Sequence, residues 1–505
     1  MALLTVLFSI GVFVFLLYAF AKWRQQYWKR IGVPQLTPNI IFGDGFLLHT
    51  GKTSIKEFYE DLYFNTKARG QKFVGIYHAL MPEIVIADAT LSKRILNQDF
   101  EYFQSHGMFY HKSNILTMNI FSLEGEEWRG RRTKLTPMFT SGKMKMIFSI
   151  ITNKSEKLLE AINKCGTNDA INAEDLFKRY TTEIIASTAF GLDIDVLNEP
   201  NHKFREIGEE TLKPHLLNFA LERIFSRNFL GSIGYQAIAS HIVEYFSKVV
   251  KDTLSHREAN GIERKDFLQL MLQLKHHGKI NENDRVDENQ KIKHLLTDND
   301  IVAESFFMYL AGYETSATTM VFALHELALN QEIQNKLRNE ITEVIEKHGE
   351  ITYEAVMDME YLDKVVKETL RKYPIVPVLP RTCTKDYKIP NTNVVIKKGT
   401  AVQIPCIGLH SDPEFYPNPK IFDPERFSVE NKMRRPDAPW IPFGDGPRQC
   451  LGMRLGLLQT KVGIITFIKN FHIFLDKSMT VPLQPQKSIF LYHPVEELLL
   501  RIEKV

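Results

Sequence analysis

Pro442-Phe443-Gly444-Asp445-Gly446-Pro447-Arg448-Gln449-Cys450-Leu451-Gly452 sets one cysteine among glycines, with an arginine two residues before it. A lone thiol in a long chain is ordinarily a small core hydrophobe. The frame argues otherwise. Gly446 and Gly452 permit backbone conformations or close approaches barred to a residue with a Cβ. The apolar helical run from Leu455 onward puts Cys450 near a helix N-terminus, where the dipole lowers a thiol's pKa. Such a loop can present one thiolate to a metal while covering it.

Around this stretch the composition is that of an ordinary globular chain. The 505 residues are 44% apolar and 24% charged, with a formal charge of +3, which does not mark a nucleic-acid binder. The four cysteines, Cys165, Cys383, Cys406 and Cys450, form no CxxC pair or close Cys/His cluster. Structural zinc is disfavoured, and a reducing compartment fits.

Residues 2–21 carry no charge and are about long enough to cross a bilayer as a helix. Lys22, Trp23, Arg24, Trp28, Lys29 and Arg30 follow, a basic and aromatic flank expected to stay cytosolic at the interface, with the N-terminus in the lumen. A cleaved signal peptide fits less well, because the apolar run is long and has no clear cleavage site. Next comes Gly32-Val33-Pro34-Gln35-Leu36-Thr37-Pro38, a stiff connector. No second span of comparable length follows, in keeping with a mean hydropathy of −0.19.

Three- and four-residue apolar spacing predicts helices over 144–162, 174–190 and 241–254. Strands are expected at 73–77, 84–87, 394–396, 401–404, 489–491 and 498–502, and a polar surface connection over 275–299. From Thr297 to Asn330 runs a helical pattern on the order of 50 Å long, opened by Thr297 and Asp300 in a capping-box arrangement. Inside it lies Ala311-Gly312-Tyr313-Glu314-Thr315-Ser316. An acid and two hydroxyls in a buried helix need partners; the simplest is a bond from Thr315 to a preceding carbonyl. Farther on, Glu368 and Arg371 share one helical face.

Together these stretches resemble the cytochrome P-450 family. Phe443, Gly446, Arg448, Cys450 and Gly452 match its Phe-x-x-Gly-x-Arg-x-Cys-x-Gly loop, and residues 311–316 match its distal-helix motif, with Ser316 in place of the commoner threonine. Glu368 and Arg371 match its Glu-x-x-Arg, Asp423-Pro424-Glu425-Arg426-Phe427 the segment that supplies a third member, and Trp128 and Arg132 its Trp-x-x-x-Arg. The wording around Cys450 is similar to insect xenobiotic-metabolising members.

That resemblance implies a mainly α fold with small β-sheets: one haem-enclosing domain over residues 41–505, behind an anchor at 1–21 and a linker at 22–40. Cys450 would be the axial ligand of haem b iron, and Arg132, Arg381 and Arg448 the partners of its propionates. Gly312, beside Ala311, would make room for dioxygen. Thr315 would hydrogen-bond the oxygen and organise a water chain, and Glu314 would belong to proton delivery. Glu368, Arg371 and Arg426 would lock the core, while Arg129, Arg131 and Lys134 would stay outside to dock an acidic electron donor.

The implied activity is monooxygenation in the endoplasmic-reticulum membrane, with the body on the cytosolic face. Electrons would come from NADPH through a separate flavoprotein reductase, since the chain has no evident dinucleotide-binding GxGxxG; a microsomal b-type cytochrome can assist. A lipophilic substrate is expected, contacted from the loop 103–121 including Phe121, from Phe307, Ala311 and Thr315, from the bend carrying Val376 and Val378, and from the turn at Leu491. The alternatives are a haem-thiolate isomerase or dehydratase that needs no dioxygen, and a non-catalytic haem carrier or sensor. Glu314 and Thr315 speak against both.

Overall fold

The computed structural model describes residues 1–165, 170–213, 218, 221–222, 224–280, 295–435, 437–488 and 490–505. Most of the connection expected at 275–299, and Ile489 of the expected strand at 489–491, lie outside them.

Its axis is the helix Asp298–Leu329. Thr297 Oγ1 accepts from Asp300 N–H at 3.1 Å and Asp300 Oδ2 accepts from Thr297 N–H at 2.9 Å, so the expected capping box starts it. Buried residues recur around the whole circumference, the mark of a helix that runs through a core. Helices Ser141–Lys164, Ala173–Ala189 and Met453–Asn470 join its hydrophobic cluster, each burying an apolar face. The expected segments 144–162, 174–190 and 241–254 all fall in helices, the last within Ser240–Asn260.

A four-stranded sheet has a smaller core of its own. Its order is Phe73–His78, Met81–Ile86, Ala401–Ile404, Leu379–Thr382; the middle pair is parallel and the outer pairs antiparallel. Leu379–Thr382 was not expected as a strand; Pro380 within it weakens the pattern. Phe471–Leu475 was also missed, and it pairs with Leu499–Lys504. Phe490 and Leu491 form a bend, not the expected strand.

The N-terminal helix spans Ala2–Arg24, with only Ala21 buried, and is long and apolar enough to cross a membrane. The linker expected at 22–40 is built into the body. Trp28, expected at the membrane interface, is fully buried, and its Nε1–H donates to Ile76 O at 3.1 Å. A Cβ at Gly75 would sit 2.3 Å from the Trp28 ring, so the glycine makes the socket. Gln25 Nε2 donates to Asn39 O at 2.7 Å and Ala79 O at 3.2 Å. Trp23 alone faces outward, under the Arg30 guanidinium at 4.5 Å. Prolines at 34 and 38 announced stiffness, but nothing local announced that Trp28 inserts into a distant strand pair.

Candidate functional site

The cysteine loop begins with a turn in which Cys450 N–H donates to Phe443 O at 2.9 Å. Gly446 has φ +69°, and a Cβ there would lie 2.2 Å from Leu96 O, so both conformation and space require glycine. Gly452 meets neither condition: it caps Met453–Asn470 at φ −84°, with nothing closer than 4.0 Å to a Cβ. What Gly452 contributes is its N–H, which bonds Cys450 and favours the thiolate. Burial outweighs this and pushes the thiol up, with Arg132 also favouring the charged form. A cation opposite the sulfur is what would hold it as thiolate.

Cys450 keeps accessible surface although protein packs closely around it. Ala311 is exposed and Thr315 half-buried in the middle of a helix otherwise buried along most of its length. The helix after the cysteine crosses the central one here: Gln459 Nε2 donates to Gly312 O at 2.9 Å and to Ser316 Oγ at 2.6 Å. Ser316, the departure from the commoner threonine, is thus a cross-helix acceptor. Thr315 Oγ1 donates to Ala311 O at 2.6 Å, the simple carbonyl bond anticipated from sequence, and the helix is unbroken. A Cβ on Gly312 would lie 2.6 Å from Ile185 Cδ1. The absence of a side chain at Gly312 lets this neighbouring helix approach.

Three arginines converge on the other side. Arg448 is buried and stacks on Trp128 at 4.2 Å. Its donors go to main-chain carbonyls: Gln104 at 2.8 Å, Ile120 at 3.1 Å, Phe121 at 3.4 Å and Leu123 at 2.5 Å. It stitches the 104–123 loop to the cysteine loop and has little left for another ligand. Arg381, held opposite Val402, gives one N–H to Pro380 O at 2.8 Å; its buried Nε has no partner. Arg132 makes no ion pair or side-chain hydrogen bond among the described residues. Burial lowers all three, Arg448 to about 9 and Arg381 to about 10. His106 lies among them, its ring stacked on Phe121 at 4.3 Å and its Nδ1 2.9 Å from Phe121 O.

Buried guanidiniums without a carboxylate at salt-bridge distance are unfavourable unless an anion joins them. These residues therefore fit a group with anionic arms at the arginine end and a metal at the sulfur, as haem has. Arg131 differs from expectation. It is 11% exposed and pairs with Glu304 at 2.7 Å and with Asp300, tying Gly125–Leu135 to the central helix. Arg129 stays outside and Lys134 is half-buried.

Glu314, 7% exposed, lies 3.3 Å from Lys178 and 3.3 Å from His493; burial raises its carboxyl. Phe121 stacks on Phe307 at 5.4 Å, one turn before Ala311 on the central helix. Val376 and Leu491 are half-buried beside the core, whereas Val378, 6% exposed, belongs to it.

The lock forms as expected. Arg371 binds both oxygens of Glu368, at 2.7 and 2.8 Å, and the carbonyls of His410 and Pro419. Arg426 reaches Glu368 at 3.3 Å and the carbonyls of Pro417 and Asn418. His410 continues the network toward the cysteine loop by accepting from Ile441 N–H at 2.9 Å. Burial, then Arg371, lowers His410 to about 3 from 6.5. Because the folded value is the lower one, the unfolded chain takes the proton first. Stability from this group is lost as pH falls below about 6.5, at about 1.4 kcal/mol per pH unit. Denaturant midpoints between pH 7 and 5 check this, and His410→Asn flattens that slope.

The family model described as cytochrome P450 matches residues 33–501. Curated relatives include "Cytochrome P450 6A1" of Musca domestica, 37% identical over 99% of this chain and 98% of that protein. "Cytochrome P450 6a2" of Drosophila melanogaster is 35% identical over 95% and 96%. "Cytochrome P450 6k1" of Blattella germanica is 36% identical over 95% and 93%.

Proposed function

Since the chain belongs to the cytochrome P450 family, whose members are haem-thiolate monooxygenases, we propose that it inserts one atom of dioxygen into a lipophilic small molecule, with Cys450 as the ligand of the haem iron. The observation that carries this is the enclosed thiol of Cys450 beside a helix whose Ala311 and Thr315 are uncovered. Haem bound through a thiolate supplies the activation of dioxygen. The chain's own residues do the rest. Gly452 N–H and Arg132 favour the charged sulfur, Arg132 and Arg381 would hold the propionates, and Arg448 with Trp128 holds the loop beside them.

Thr315 carries the hydroxyl nearest the uncovered face. Its bond to Ala311 O occupies the hydroxyl proton, leaving the oxygen lone pairs to accept from a water or a substrate hydroxyl. Glu314, buried and raised, is the acid that restores protons to that hydroxyl. Phe121 and Phe307 exclude water on the substrate side, and with Val376 and Leu491 they favour an apolar substrate. The apolar helix Ala2–Arg24 is read as an endoplasmic-reticulum anchor with the body on the cytosolic face. Electrons come from NADPH by way of a flavoprotein reductase, with a b-type cytochrome as an auxiliary, and exposed Arg129, with half-buried Lys134 near it, is a candidate for docking the reductase. Xenobiotics, terpenoids, steroids and fatty acids are the classes to screen.

Thr315→Ala tests the assignment in membranes supplied with reductase and NADPH. Product formed per NADPH falls at least about tenfold while peroxide rises. Unchanged coupling removes the role, and product formation without NADPH revives the isomerase reading.

A further inference from the structure

Two elements remote in sequence hold Glu314. Lys178, on Ala173–Ala189, lies 3.3 Å from Glu314 Oε1 and 2.9 Å from Glu174 one turn earlier. From the other side, His493 Nδ1 lies 3.3 Å from the same oxygen and 3.3 Å from Thr318 Oγ1. His493 sits on a pinned hairpin: Gln486 N–H donates to His493 O at 2.7 Å, Val495 N–H to Gln484 O at 2.8 Å, and Tyr492 N–H to Ile375 O at 2.9 Å. Arg205 and Glu209, on Lys203–Thr211, face the carboxyl at longer range. Burial keeps His493 neutral, lowered to about 4.

A buried carboxylate with an ammonium as its only strong partner is drawn onto that ammonium. An imidazole N–H opposite supplies a directional bond that does not add charge. We propose that His493 is a positioning residue for proton delivery: with its proton on Nδ1 it shares that N–H between Thr318 Oγ1 and the Glu314 carboxyl and so holds the carboxyl back from Lys178, so that Glu314 can take up a proton and pass it toward Thr315. One proton enters and one leaves, with no electron change in these residues. The inference rests on the role assigned to Glu314 above and deepens it.

The full-length protein in membranes, with NADPH-dependent flavoprotein reductase and 7-ethoxycoumarin as probe, decides it. The readouts are the ratio of peroxide to the other products of NADPH oxidation and the slowing of NADPH oxidation in D2O. His493→Leu raises the peroxide ratio about fivefold and enlarges the D2O effect. His493→Gln, which keeps an N–H, stays within about twofold of the parent. Each variant is normalised to its reduced, carbon monoxide-bound absorption, which counts folded enzyme. If Glu314→Gln raises the ratio and His493→Leu does not, the positioning role is wrong and the role of Glu314 stands. An unchanged ratio in Glu314→Gln removes the parent reading itself. Equal rises in both His493 variants mean packing, not the hydrogen bond, and overturn the proposal.

Discussion

Cys450→Ala abolishes the thiolate-type Soret band of the reduced, carbon monoxide-bound protein, and NADPH-dependent oxidation with it. The other three cysteines cannot take over. Cys406 is buried against His410, its Sγ 3.6 Å from both ring nitrogens, and burial drives its thiol far up. Cys383 is pushed up to about 11 by burial and donates to Lys385 O at 2.8 Å. Cys165 ends a surface helix. Cys450 alone among the described thiols is both enclosed and accessible, and it alone has Gly452 N–H and Arg132 favouring its charged form. Alanine substitution of Cys165, Cys383 or Cys406 therefore leaves the band in place. A thiolate-type band that survives Cys450→Ala overturns the ligand assignment.

What could be read from the sequence divides by the range of the interaction. The capping box at Thr297 and the Glu368–Arg371 pair are set by residues within four positions of one another, and each formed as its spacing implied. The partners of Glu314 were not legible, because Lys178 and His493 reach it from 136 residues before and 179 after. The same holds for Trp28, whose socket is at Gly75. Arg131 illustrates a different limit. In a run of four basic or small residues the Trp128 register separated Arg132 from its neighbours, but no local signal showed that Arg131 faces two carboxylates on the central helix. Gly312 was read for the distal side from its place in the distal-helix motif, and its packing against Ile185, 127 residues earlier in the chain, had no local signal.

Glu368→Ala is the most destabilising change expected outside the cysteine loop. Glu368 and Arg371 are fully buried and Arg426 nearly so. Removing the carboxylate leaves two guanidiniums uncompensated and also deprives Asp423 N–H of its acceptor at 3.0 Å. Breaking one buried pair costs about 3–5 kcal/mol, a large share of the roughly 5–15 kcal/mol that holds a domain together. Arg371→Ala costs less, since Glu368 keeps Arg426 and the Asp423 amide, but it frees the carbonyls of His410 and Pro419. Arg426→Ala costs least of the three, because its 3.3 Å contact is the longest. Arg371→Lys keeps the charge without the fork and falls between parent and alanine variant. Neutralising Glu368 and Arg371 together does not restore stability here, as it can for an isolated pair, because Arg426 is then left alone with its charge. Urea midpoints of the four single variants and the double variant test this order. A Glu368→Ala protein no less stable than Arg426→Ala contradicts it. Because His410 links the lock to Ile441, the same variants lose thiolate-type absorption in parallel with stability, and a variant that loses stability while keeping that absorption breaks the link.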